Sequence, residues 1–531
     1  MKLSFYGADR CVTGSCHCVE INGKTILIDC GLQQGRDEID NGALPFRPGQ
    51  IDYVLVTHAH IDHSGRIPLL IRQGFRGTVL TTRLTAELME IMLQDSAHIQ
   101  ESDAAWLNRK GKRAGRDAVE PLYTVADAMA VREHVQTCEY GQETALCPGV
   151  TAVFTDAGHL LGSASITLKL TEDGVTKTVV FSGDIGNTRQ PIIRDPVLLH
   201  QADYVVMEST YGDREHAEIG EYTEDLARVI DETLGKGGNV VIPSFAVGRT
   251  QELLYFIREI KEKRMVSSVP DFPVYIDSPL AREATEVFSG DLTGYLDEEA
   301  IALVQGGVNM LTFPGLMLTS SSEESKALNA DMTPKVIISA SGMCDAGRIR
   351  HHLKHNLWRS ECTVCFVGYQ APGSLGARLL DGAASVRLFG EEIAVRARIV
   401  QFDCLSSHAD KSDLLRWISA YAPKPEHVFV VHGDADVAPV FAQELKDRGF
   451  AAHAPEYTEV YDLLENRMIS AGYTPERKKS APADKGSPAY QRLENVGLML
   501  QEVIRHNKGG TNKDLGKFAD QIRALIEKWD R

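Results

Sequence analysis

His58, His60, Asp62 and His63 fall within the stretch VLVTHAHIDHSG, residues 54–65. Imidazole nitrogen and carboxylate oxygen are the donors that hold zinc and similar ions. A solvated loop has no use for such a set, and a core could not bury it unpaired. Because the histidines alternate after an apolar run, they can aim at two neighbouring points, so two ions are within reach. Three further stretches repeat the form, a strand ending in a polar ligand among small residues. They are His159 in TDAGHLLGSAS, Asp184 in FSGDIGN and His408 in CLSSHADKS, and Asp29 in ILIDCG ends another strand. Each alone is an ordinary hydrogen-bonded turn residue. Together they match the donor types that a two-metal site requires.

Strands and turns must deliver these side chains. CHCVEING and KTILIDCG predict a hairpin about Asn22-Gly23, and IDYVLVTHAH predicts a strand that ends at the histidines. A helix is expected from about residue 82 to 107. After it, NRKGKRAGRD carries Arg109, Lys110, Lys112, Arg113 and Arg116. That cluster reads equally as a solvated loop or as a rim that attracts phosphate. Strands resume from 150 to 184. ADYVVMEST, GNVVIPSFAVG, FPVYIDSPLA and PKVIISASG read as parallel strands with crossover helices, a layer of their own. Beyond about 395, strands and helices return in ARIVQFDCLSSHAD and HVFVVHGDAD. PERKKSAPADKGSP (475–488) reads as a linker, and 489–531 as a helical segment that packs on a partner surface.

With 531 residues, the chain exceeds the size of one hydrophobic core, so more than one domain is expected. The net charge of −17 argues against nucleic-acid binding through bulk attraction; a polyanion would need a local basic groove and metal. No apolar run is long enough to span a bilayer, and MKLSFYGADR reads as a strand, so no membrane partner and a cytoplasmic location are expected. The 10 cysteines fit that compartment as reduced thiols. Cys362 and Cys365 form a CxxC inside a strand, where they point to opposite faces; packing is the expected role.

HAHIDH with the upstream Asp29, then GH, then GD, resembles the metallo-β-lactamase fold. MESTYGDREH, PSFAVGRTQELL, YIDSPLA, ISASGM, SSHAD and VVHGD resemble its β-CASP branch. That branch contains the nuclease subunit of the cleavage and polyadenylation factor and bacterial and archaeal ribonucleases. The resemblance covers about residues 1–470. It implies an α/β protein, an αββα sandwich with an inserted α/β β-CASP domain of parallel sheet and crossover helices. The sandwich would use 1–205 and 390–470, the insert 206–389, with a linker and helical extension over 471–531.

The resemblance also assigns roles. His58, His60 and His159 would hold one zinc ion, Asp62, His63 and His408 a second, and Asp184 would bridge the two. Asp29 would orient a ligand histidine, which fixes its tautomer and raises its basicity. The pair of zincs would activate water for in-line attack on phosphorus. Catalytic work falls to Asp62, Asp184, Glu208 and His408, with Glu208, at the end of YVVME, positioning a residue near the leaving group. One departure stands out. The family's motif B loop, G-[ST]-L-x-x-H, reads GSLGARLL here, with Arg378 in place of the histidine. Arginine cannot give up a proton, although it can neutralise a phosphate. His351, His352 and His355 are nearby, and their helical spacing predicts an exposed face. Arg249, Ser341, Ser374 and Arg378 are the expected substrate contacts.

The expected function is cleavage of RNA, single-stranded, by a zinc-dependent phosphodiesterase; the chain leaves a homodimer open. Endonucleolytic and exonucleolytic modes are both open. DNA cleavage or small-ester hydrolysis by the same site is the rival within enzymes, and an inactive RNA-binding scaffold is the rival outside them. A scaffold would be expected to lose ligands, whereas every ligand position here is filled.

Overall fold

The computed structural model describes residues 1–35, 39–112, 115, 117–216, 222–402, 406–475, 500, 503–504 and 512–529. Arg113, Arg116, the linker from 476 onward and most of 489–511 lie outside the described residues. The chain divides into two compact units, 1–476 and 477–531. The second contributes the helix Asn512–Trp529.

Among the described residues of the first unit are three large sheets and a two-stranded one, Ser385–Leu388 with Glu391–Ala394. The first has eight strands, with Arg467–Ser470 and Val460–Asp462 beside Lys2–Phe5, followed by His17–Ile21, Lys24–Ile28, Tyr53–Leu55, Thr78–Thr82 and Val135–Cys138. The expected hairpin is present. Asn22 and Gly23 have φ of 49° and 71°, the two left-handed residues of a tight turn between paired strands. The second sheet has seven strands: Ala452–His453, His427–Val430, Tyr204–Met207, Val175–Phe181, Ala164–Glu172, Val150–Asp156 and Thr144–Cys147.

Alternation along these strands builds the layers. Phe5, Val19, Ile26 and Leu55 of the first sheet pack on Phe154, Ile166, Val206 and Phe429 of the second. The alternate residues turn outward. Leu27, Val54 and Val79 meet Leu70, Leu84 and Leu88 on helices, while Val180, Val205 and Val430 meet Trp417, Phe441 and Leu445. Helix, sheet, sheet, helix is the αββα order. Fully burying each such side chain is worth roughly 1.5–3 kcal/mol, so the alternation strongly fixes register.

The third sheet has six strands, all parallel, in the order Leu316–Leu318, Val274–Ile276, Val336–Ser339, Val240–Pro243, Thr363–Phe366 and Arg398–Gln401. Helices cover both faces, because Val240 and Ile242 pack toward Leu253 and Leu254 while Val241 packs toward Leu353 and Leu379. Two expectations shift. The strand within ADYVVMEST joins the second sheet, between Val175–Phe181 and His427–Val430, instead of the inserted layer. At the other end Arg398–Gln401 pairs with Thr363–Phe366 in the third sheet, beyond the expected limit at 389. Backbone pairing sets both limits, and local composition does not change there. One buried cluster runs from Leu84 and Leu88 to Leu253 and Ala281, so the inserted layer and the sandwich share apolar contacts.

Candidate metal centre

Strands Val175–Phe181, Tyr204–Met207 and His427–Val430 run parallel with Phe181, Val206 and Phe429 in register. Residues just past their ends, Asp184, Glu208 and His432, therefore emerge along one sheet edge. From the first sheet, Tyr53–Leu55 leads to His58 and His60, and the short helix Ile61–Ser64 carries Asp62 and His63. The His63 and Ser64 amides both donate to the His60 carbonyl at 2.9 Å, which tightens this turn. The segment after Asp29 lies against the helix so closely that a Cβ at Gly31 would sit 1.6 Å from the Asp62 carbonyl oxygen. No residue but glycine fits there. The loop bearing His159 is held from outside, since Thr82 and Thr85 hydroxyls donate to the Gly162 carbonyl at 2.6 and 2.8 Å.

Two sets of donor atoms result. In one, His60 Nδ1 lies 3.0 Å from His58 Nε2 and 3.2 Å from His159 Nε2, and Asp184 Oδ2 lies 3.5 Å from both Nε2 atoms. In the other, His63 Nε2 and His432 Nε2 are 3.2 Å apart, His432 Nε2 is 3.6 Å from Asp62 Oδ2, and Asp184 Oδ1 is 3.2 and 3.6 Å from the two nitrogens. Asp184 thus turns one oxygen to each set.

The outer edges of the rings are tied to acceptors. His63 Nδ1 donates to Asp29 Oδ2 at 2.7 Å, and Asp29 also accepts from the Thr57 amide and hydroxyl, each at 2.8 Å. His58 Nδ1 donates to Thr57 Oγ1 at 3.1 Å, His159 Nδ1 to the Ser407 carbonyl at 3.1 Å, and His432 Nδ1 to Thr210 Oγ1 at 3.1 Å. Protons on Nδ1 leave the Nε2 lone pairs facing inward. Burial pushes His58, His60 and His159 toward the neutral, metal-binding form. It opposes charge on Asp184 as well, but His432, His63 and His58 outweigh it and hold the carboxyl well below the usual range. Asp184 Oδ1 is buried, with His63 Nε2 and His432 Nε2 at 3.2 and 3.6 Å. Tetrahedral zinc with nitrogen ligands at 2.0–2.1 Å places them about 3.3 Å apart, so the observed separations fit such an ion.

His408 is placed differently from expectation. His432 closes the set with Asp62 and His63, while His408 groups with Asp184 and Glu208. Its Nδ1 is 3.2 Å from both Glu208 oxygens, and its Nε2 is 3.9 Å from Asp184 Oδ2. Glu208 is already engaged, accepting from the Ile185 amide at 2.5 Å and the Thr210 amide at 3.3 Å. Burial lowers the basicity of His408, yet Glu208 and then Asp184 push its pKa up to about 9. The His408 loop reaches the site through a backbone bridge to Gly186. Asn187 and Gln190 hold it further by donating to the carbonyls of Ser406 and Ser407. His432 lies in the VVHGD stretch, and the sequence signal that marks it is the form shared by the others, a histidine just past a strand.

The expected substrate contacts are dispersed. Ser374 is buried as the cap of helix Leu375–Leu380, its hydroxyl accepting from the Ala377 amide at 3.1 Å. Ser341 donates to the Ala346 carbonyl at 3.3 Å, and Arg378 is exposed on the capped helix. Arg249 opens the helix Arg249–Glu262 and is ion-paired with Glu252. It lines a cavity of about 1300 Å³ with Asn187, Gln190, Tyr255, Arg258 and Ser406. Of the three neighbouring histidines, His351 and His355 are exposed as expected. His352 is instead fully buried, 2.6 Å from Asp277.

Family models match nearly the whole first unit. Residues 9–243 match the metallo-beta-lactamase superfamily, 250–379 the Beta-Casp domain, and 392–455 the Zn-dependent metallo-hydrolase RNA specificity domain. The chain is 37% identical over 450 residues to Ribonuclease TTHA0252 of Thermus thermophilus, covering 85% of this chain and 97% of that one. It is 30% identical to an RNase J-like protein of Methanocaldococcus jannaschii, covering 81% and 92%. Transcription termination factor FttA of the same organism is also 30% identical, with 84% and 69% covered. The chain belongs to the β-CASP ribonuclease family of the metallo-β-lactamase superfamily.

Proposed function

We infer that this protein is a two-zinc phosphodiester hydrolase that cleaves single-stranded RNA. The observation that carries the reading is buried Asp184, whose two carboxylate oxygens face two separate sets of imidazole nitrogens. His58, His60 and His159 would hold one ion, Asp62, His63 and His432 the other, with Asp184 shared. When bound, such ions lower the pKa of water and offset the charge that develops at phosphorus. RNA as substrate is supported by the names of the relatives, a ribonuclease among them.

The chain's own groups divide the remaining work. Asp29 fixes the His63 ring, and Thr57 fixes both Asp29 and His58. His408 has one nitrogen bound to Glu208 and the other turned toward Asp184, so it can hand a proton to a departing oxygen. That role supplies the proton which Arg378 cannot. The cavity beside Ser406 takes walls from the 187–195 loop and the Arg249–Glu262 helix, which gives a strand of RNA a cleft between sandwich and insert. The cytoplasmic setting belongs to the same reading: the nine described cysteines are free thiols, and no described helix is long and apolar enough to cross a membrane.

End-labelled and circular RNA, incubated with and without chelator, test this directly. Chelator-sensitive cleavage of circles is expected for an endonuclease, and stepwise shortening of linear RNA alone for an exonuclease. Asp184→Ala should abolish either product and lower bound zinc; full activity in that variant would overturn the mechanism.

A further inference from the structure

The helix Arg83–Lys112 changes character along its length. Its first half buries Leu84, Leu88, Met89, Met92, Leu93 and Ala97; beyond that only Ala104 and Gly111 are buried. Trp106 is 48% exposed and Leu107 43%. Arg109, Lys110 and Lys112 follow, all exposed, and none forms an ion pair with a described residue. Trp106, Arg109 and Lys110 share one helical face, with the Lys110 ammonium 3.7 Å from the Trp106 ring centroid. Cations at a helix C-terminus complement its dipole, which accounts for their placement alone. It gives no reason to leave an indole half in water. In a chain of net charge −17, a short cationic turn around an exposed aromatic ring is complementary to a polyanion with stackable bases.

We propose that the distal end of this helix binds single-stranded RNA, Trp106 stacking on a base while Arg109, Lys110 and Lys112 face phosphates. The proposal rests on the RNA reading above and extends it to a surface remote from the cleaved bond. The helix begins at the loop that carries His159, where Thr85 donates to the Gly162 carbonyl. From Thr85 to Arg109 the axis rises about 36 Å. Only RNA long enough to reach that far from the metal centre can use the arm.

Labelled oligouridylates of two lengths, one shorter and one longer than this span, provide the test on the full chain. Trp106→Ala should weaken binding of the long RNA about tenfold and leave cleavage of the short RNA unchanged, with an unaltered melting temperature. Lys110→Gln should lower the slope of log affinity against log salt by about 0.7 for the long RNA, as expected for one lost phosphate contact on a single strand. Unchanged long-RNA binding in both variants would overturn the proposal, as would equal losses at both lengths. So would a shift in sedimentation with RNA affinity unmoved, which would mark the surface as a contact between copies. If the unaltered protein neither binds nor cleaves RNA, the functional reading itself fails. If it does both and the variants match it, only the arm fails.

Discussion

Asp184 and Asp277 are two buried aspartates just beyond strand ends, each beside histidine, yet they are finished in opposite ways. Asp277 Oδ1 accepts from Arg348 at 2.7 Å and from the Thr319 hydroxyl, and its Oδ2 accepts from Ser325 and His352, each at 2.6 Å. The protein supplies every donor, and the network is closed. Around Asp184 the outer ring nitrogens of His58, His63, His159 and His432 are tied away from it, so the inner nitrogens converge on its two oxygens. Residue types alone would not separate the two clusters. The direction of the donors does: one cluster is an ion pair within the inserted layer, the other turns ring nitrogens and carboxylate oxygens toward one another as a metal site would.

This contrast can be broken at four points. His432→Ala should be the most damaging, reducing cleavage to background and bound zinc to about one ion per chain, by metal analysis; an unchanged zinc content would return that place to His408. His408→Ala should lower kcat by about 10²–10⁴ while zinc content stays constant, because a proton donor is lost and no ligand is. Loss of zinc in that variant would make His408 a ligand. Asp29→Asn should weaken zinc affinity by about 10–100-fold through the misoriented His63 ring, measured by competition with a chelator.

Asp277→Asn should leave zinc untouched and destabilise the fold by about 3–5 kcal/mol, since Arg348 loses its buried counter-charge. Its pH dependence has a definite sign. Burial works to raise the Asp277 pKa, but the hydrogen bonds from His352, Ser325, Thr319 and Arg348 win and depress it below the usual range. The stabilisation is complete above the unfolded-state value of about 3.9 and is lost as pH falls below it. Denaturant melts between about pH 5 and 2 should show a steeper decline for the native chain than for the variant. Parallel curves would mean that the ion pair adds nothing.

The comparison also shows what the sequence could reveal. The 58–63 cluster was legible because its donors are contiguous, and so was the layer architecture, because alternation and crossover spacing are local patterns. The choice between His408 and His432 was not. It depends on His427–Val430 lying parallel to Tyr204–Met207, a pairing across more than two hundred positions that brings His432 to the same edge as Asp184. His352 departs from its helical pattern for a related reason. Helical spacing identifies its neighbours His351 and His355 as surface residues, but only the packing of Ile349–Asn356 near the end of Val274–Ile276 puts a carboxylate against its ring.

The second donor set draws on His63 from early in the chain and on His432 from the far side of the inserted layer. A growing polypeptide therefore carries an incomplete centre through most of its synthesis, however well the earlier layers have folded. Hydrolytic competence would arrive late and all at once, when the strand His427–Val430 docks. Fragments released before that strand would be inert toward any message close at hand.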